Sequence, residues 1–169
     1  MSEEKNGNSY IDEVGINKSN NYIDEFADEN KFYEAVFNKI VGITEAGAAV
    51  FYVGNNDQTE FDLLFSFGIN RSKVTKKIAK GEGITGQIAI DGKLFVMRNI
   101  APDVLKIMSG IGNLVPAQIV VIPLALDGQV FAIAEVATLK NITGVMEKEL
   151  EDLIKEAVRG IMFLKERHV

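Results

Sequence analysis

Ile119-Val120-Val121-Ile122-Pro123-Leu124-Ala125-Leu126, then Asp127-Gly128, then Gln129-Val130-Phe131-Ala132-Ile133-Ala134-Glu135-Val136-Ala137-Thr138-Leu139 is the stretch on which the fold turns. Two apolar runs of strand length meet at Asp-Gly, the strongest short-range signal for a β-hairpin. Both runs are apolar on both faces, so both faces of the sheet they join are covered. Pro123 cannot donate to a ladder and predicts an edge position or a bulge. Glu135 breaks the pattern from within, on the face shared with Phe131 and Ile133. A buried carboxylate without a partner is costly. It is therefore paired structurally, half exposed, or placed at a ligand or subunit contact.

Upstream, Ala48–Val53 and Phe61–Phe67 flank Gly54-Asn55-Asn56-Asp57 and form a second hairpin. Asp57, Glu60 and Asp62 lack the ladder spacing of a calcium loop and read as its hydrated tip. Residues 68–80 are polar and basic. Leu94–Asn99 is a short strand, and Ala101-Pro102-Asp103 opens a helix predicted to run to about Ser109. Helices close both ends. One runs from Asp24 or Asp28 to Thr44 with Phe26, Tyr33, Phe37 and Ile40 on one side. The other runs from Gly144 to Arg167, with Thr143 as its cap. Strands bracketed by amphipathic helices predict an α+β fold. Its sheet is antiparallel with five or six strands, both end helices pack on one face, and short helices and loops cover the other.

The chain has 169 residues, no cysteine, and one histidine, His168, next to the end. Disulfides, thiolate metal sites and thiol catalysis are excluded, and a Ser-His-Asp triad nearly so. No run approaches the roughly 18 apolar residues of a membrane span, and no apolar signal segment opens the chain. A soluble, cytoplasmic, non-membrane protein is expected. The net charge of −6 is local. Residues 1–30 hold eight acids and two bases; of the 24 acids and 18 bases in the chain, that leaves sixteen of each in residues 31–169. A neutral body gives no long-range attraction for nucleic acid. Residues 1–23 predict a disordered acidic head and 24–169 one domain. Within the head and just after it, Tyr10-Ile11-Asp12-Glu13 recurs as Tyr22-Ile23-Asp24-Glu25, either a helix-entry preference or a docking motif.

Gly81-Glu82-Gly83-Ile84-Thr85-Gly86 matches G-x-G-x-x-G, with Asp103 downstream. A dinucleotide fingerprint needs a buried apolar strand before it. Val74-Thr75-Lys76-Lys77-Ile78-Ala79-Lys80 is too charged for one, so the motif predicts a turn into a short helix. Arg71, Lys73, Lys76, Lys77 and Lys80 form a solvated basic loop or, next to that helix start, a place for a phosphate-bearing ligand.

From about Phe32 to Leu164 the chain resembles a GAF domain, the small-molecule sensory module of signalling proteins. The resemblance lies in Gly47–Val53, in Gly81-Glu82-Gly83-Ile84-Thr85-Gly86-Gln87-Ile88-Ala89 with Asp91-Gly92-Lys93 and Leu94–Asn99, in Val121-Ile122-Pro123-Leu124 with its Asp-Gly hairpin, and in the C-terminal helix. It implies a non-catalytic sensory or regulatory domain that binds a small molecule and passes the signal through its terminal helices. The alternative is a ligand-free module for dimerisation or protein docking. Departures narrow it. Bilin-binding and methionine-sulfoxide-reducing relatives use cysteines, and there are none. The dispersed Asn-Lys and Phe-x-x-x-Asp-Glu motif of the cyclic-nucleotide group is not matched by Asp12-Glu13 or Asp24-Glu25. His168 is a poor haem ligand. No cofactor is named by these residues.

A ligand is expected on the sheet face opposite the end helices, roofed by Lys80–Ile90 and Val104–Leu114. Strand alternation offers Ser66, Thr85, Gln87, Arg98, Asn99 and Glu135 as polar groups there, and Met97, Met108 and Ile122 as apolar wall. The C-terminal helix carries a seam at Leu150, Ile154, Ala157, Ile161 and Leu164 with coiled-coil spacing, widened by Leu153, Val158 and Met162. That width predicts a homodimer through the terminal helices, or packing on the first helix of the same chain.

Overall fold

The computed structural model describes residues 28–110 and 112–167. The acidic head, the repeated Tyr-Ile-Asp-Glu and His168 lie outside them.

The long hairpin forms as its turn chemistry demands. Asp127 (φ 51°) and Gly128 (φ 79°) both adopt positive φ, the pair that matches strand twist in a two-residue turn. They join β7 (Gln118–Leu126) to β8 (Gln129–Thr138). Pro123 is buried yet breaks no ladder. It pairs with Ile133 on one side, while on the other β4 (Phe95–Arg98) reaches only from Gln118 to Val121. A register shift between Leu124 and Ala125 follows directly.

β1 (Ala46–Gly54) and β2 (Glu60–Phe67) form the other hairpin. The Asn55 side chain closes its loop by accepting from Thr59 N at 2.9 Å and donating to Thr59 Oγ1 at 3.0 Å. The main sheet runs in the order β3 (Lys77–Ala79)-β2-β1-β8-β7-β4, every pair antiparallel. Its edge strand β3 lies in the segment whose charge reads as loop. Only Ile78 of the three is buried, and an edge strand tolerates the lysine that hides it. The helix predicted up to Ser109 does not form. A turn after Pro102 leads into β5 (Ile107–Ser109), paired with β6 (Gly112–Leu114) as a separate two-stranded ribbon. The seven residues between Pro102 and Gly110 cannot present a helical stripe to a core, and Ile107 alone anchors the ribbon.

α1 (Glu29–Thr44) and α3 (Gly144–Arg167) pack together on one sheet face. The Asp28 side chain caps α1 from Asn30 N at 3.0 Å, and Thr143 Oγ1 accepts from Met146 N at 3.3 Å at the head of α3. Phe32, Tyr33, Val36, Phe37 and Ile40 of α1 meet Phe51, Val120, Ile122, Leu124, Ala134 and Val136 of the sheet. Phe37 stacks on Phe65 with ring centroids 5.9 Å apart and lies 5.7 Å from Phe51. Gly160 lets α3 close on α1: a Cβ there would lie 2.3 Å from Phe32 Cζ. The expected outer seam of α3 is used inside the chain. Leu150, Ala157, Ile161 and Leu164 are buried in this core and Ile154 packs against it. The wide stripe exists because α3 contacts two things at once, the sheet and α1.

Candidate functional site

The other sheet face is built from the alternate residues of the same strands. Ala48, Val50 and Tyr52 come from β1, Glu135 and Ala137 from β8, and Ile119 from β7. Register places them in rows: Ala48 and Ile119 flank Ala137, and Val50 and Val121 flank Glu135. Two methyl side chains, Ala48 and Ala137, stand side by side where other strands carry larger groups. Over them lies a cavity of about 380 Å³, within the usual range for small-molecule sites.

Its cover comes from three short segments. Ile69, Val74, Thr75 and Ile78 line it from the β2–β3 connection and β3, and Leu105 from the approach to the β5–β6 ribbon. Glu82, Gly83, Ile84 and Thr85 line it from the start of α2 (Gly83–Asp91). The glycines of the G-x-G-x-x-G segment explain how that helix start is set down. Gly81 (φ 88°) and Gly83 (φ 63°) take left-handed backbone that a side chain resists. At Gly86 a Cβ would lie 2.4 Å from Ala79 O. Glu82 Oε2 accepts from Ala79 N at 3.1 Å, tying the turn to β3.

Glu135 is the polar centre. The Thr85 hydroxyl donates to its carboxylate. Burial pushes the Glu135 carboxyl above the usual carboxylate range, and the Thr85 hydrogen bond pulls the other way without cancelling it. Tyr52 donates its hydroxyl to Thr75 O at 3.0 Å. Burial, and then the negative charge of Glu135, push that phenol up to about 12. Among the described residues no lysine, arginine or histidine lines the cavity. The basic segment nearby spends its charge elsewhere. Arg71 donates to the carbonyls of Leu64 at 3.1 Å and Leu63 at 3.3 Å, and Lys77 sits 3.0 Å from Glu60.

Of the residues expected at the site, the structure brings together Thr85 and Glu135. Ser66 is the register partner of Val50, and Met97 that of Ile119, so both share the cavity face without lining the cavity. Gln87 is exposed and donates to Asp91 Oδ1 at 3.1 Å. Asn99 and Arg98 are exposed at the end of β4, and Met108 is 76% exposed on the ribbon. Ile122 belongs to the opposite face, fully buried under the helices. Alternation along β7 puts 119 and 121 toward the cavity and 120 and 122 toward the helices, and Ile119 supplies the wall expected of Ile122. Sequence reasoning missed Tyr52, Thr75 and the floor alanines. Counting by twos from Glu135 reaches Ala137, and small residues at such positions are the signal that was available.

Among the described residues no three His, Cys, Asp or Glu side chains gather as a metal set, and no helix is long and apolar enough to cross a membrane.

The sequence matches no family model and no curated protein. The fold has many counterparts among solved structures. It is similar to the GAF domain of a phosphoenolpyruvate-protein phosphotransferase from Coxiella burnetii, with TM-score 0.63 and 15% identity over 90% of this chain and 94% of that one. It is similar to the GAF domain of a two-component sensor histidine kinase from Bacillus halodurans, with TM-score 0.63 and 11% identity over 84% and 99%. It is also similar to a free methionine-R-sulfoxide reductase from Neisseria meningitidis solved with its substrate, with TM-score 0.54 and 18% identity over 84% and 86%. The chain has the GAF fold.

Proposed function

We propose that this GAF-fold chain is a sensory or regulatory domain that holds a small molecule between the sheet and the start of α2, and that it is not an enzyme. The cavity over Ala48, Ala137 and Glu135 carries this reading. A sheet face that served only stability would be filled, as the opposite face is. Two of the similar solved domains come from a sensor kinase and a phosphotransferase, which accords with a regulatory role. The similar reductase shows that the fold can host chemistry. The sequence reading assigns cysteines to the reducing members of that group, and this chain has none.

The route to an output is short. Val50 and Glu135 face the cavity, while their chain neighbours Ala49, Phe51, Ala134 and Val136 face α1 and α3. A ligand that shifts β1 against β8 therefore acts on the packing of the terminal helices through single peptide units. Pairing of two copies through those helices has to use what α3 leaves outside, such as Met162, which is 39% exposed, rather than the buried seam. Light scattering at micromolar concentration tests it, and a monomer throughout ends it. The protein is expected to act in the cytoplasm.

Native mass spectrometry of freshly isolated protein, beside an Ala137→Leu variant that fills the floor, tests the ligand reading. A small organic adduct on the wild type that is lost in the variant is the expected result. A wild type that carries none, and that no member of a small-molecule library stabilises, would leave the ligand-free docking module in its place.

A further inference from the structure

Glu135 sits in the middle of β8, flanked in register by Val50 and Val121, so the sheet itself brings it no cation. Across the gap Thr85 donates one hydrogen bond. An ionised carboxylate has room for several donors, and among the described residues this one receives a single hydroxyl. The Tyr52 hydroxyl is already given to Thr75 O. The one other charged side chain in the lining, Glu82, is also negative. The remainder is apolar apart from Thr75 and backbone.

We propose that the ligand of this cavity is a small organic cation, a compact apolar body with a primary ammonium or similar N–H donor head that seats on the Glu135 carboxylate. This rests on the cavity being a ligand site. An anion would face two carboxylates and no base, so the phosphate-bearing ligand that the basic segment offered is not the one that fits. The ammonium adds the donors that Glu135 lacks and cancels its charge in a partly dried site, where a charge-assisted hydrogen bond is at its strongest. The small side chains of Ala48 and Ala137 leave the volume for the apolar body beside it.

Proton linkage follows. Burial holds Glu135 toward its protonated form, and a bound ammonium favours the ionised form. Binding therefore releases a proton from Glu135, and affinity rises with pH until the free protein is itself ionised there. The other titratable groups facing the cavity are Tyr52 from β1, which stays protonated below its pKa of about 12, and the exposed Glu82 at the start of α2.

The test uses three probes of one shape: cyclohexylmethylamine, cyclohexylmethanol and cyclohexanecarboxylate. Each is titrated into the isotope-labelled full chain and into Glu135→Gln, with amide shifts as the readout. The amine is expected to move the amides of Val50, Thr85 and Val136 and to bind about tenfold more tightly than the alcohol at neutral pH. That margin should shrink on acidification. Glu135→Gln should bring amine and alcohol within about twofold of each other. If the alcohol or the carboxylate binds the cavity as tightly as the amine, or if Glu135→Gln leaves the amine unchanged, the cation assignment is overturned and the cavity reading stands. If none of the three moves the cavity amides, both fall.

Discussion

The two faces of the six-stranded sheet are made by the same strands, residue by alternate residue, and they are built to opposite rules. Under α1 and α3, Phe51, Ile122, Leu124 and Val136 meet a continuous layer of Phe, Leu and Ile from two long helices. Under α2, Ala48, Val50, Glu135 and Ala137 meet short segments and a gap. The first face follows the ordinary rule of dense packing. The second combines a buried carboxylate, small side chains and a thin cover, each of which costs stability. The contrast teaches that the helix side carries the stability that lets the cavity side be left open.

The sharpest way to break this contrast is to damage the dense face. Phe51 is fully buried and touches Tyr33, Phe37 and Phe65. Phe51→Ala should cost about 3–5 kcal/mol in denaturant unfolding. A loss below about 1 kcal/mol would mean that this core is loose. Next is Gly160→Ala, which drives a methyl into the Phe32 ring. It should cost about 1–3 kcal/mol by forcing α1 and α3 apart, although alanine is the better helix former.

The cavity face should respond with the opposite sign. Glu135→Gln keeps an acceptor for Thr85 and removes the buried charge, so it should stabilise the free protein by about 1 kcal/mol at neutral pH. Because burial raises the Glu135 pKa in the folded state, the wild type is penalised above the usual carboxylate range and not below it. The advantage of the variant should therefore fade as pH falls from the raised folded value toward the usual carboxylate range. Paired thermal unfolding curves against pH check this, and an advantage that persists in acid would point away from the charge.

These contrasts were unevenly visible in the sequence. Strong local signals carried the fold: Asp127-Gly128 between two apolar runs, the capped helix at Asp28, and the stripes of α1 and α3. Two elements were hidden. β3 rests on Ile78 alone between lysines, and a three-residue edge strand is too short to show a period. The β5–β6 ribbon lies where Pro102 opens a segment too short to settle as helix. At the site, Glu135 stood out because it is a carboxylate among apolar neighbours, and Thr85 because it lies in the glycine motif. Alternation puts Ser66 and Met97 on the cavity face without telling how far the cavity reaches, and for Gln87, Asn99 and Met108, on a helix surface, past a strand end and on the ribbon, it does not tell where the segment is set down. Ile122 failed by one step of alternation, which in a strand is the whole difference between two faces. The seam of α3 left two partners open for another reason. Spacing records that a stripe is buried, not which partner buries it.

Ala137→Leu tests the central claim most directly, since it changes the cavity floor and should hardly change stability. The account predicts an unfolding free energy within about 1 kcal/mol of the wild type, together with loss of cavity binding of the cyclohexyl probes. A large loss of stability would contradict it by showing the space already filled. Unchanged binding would contradict it by showing that the molecules sit somewhere else.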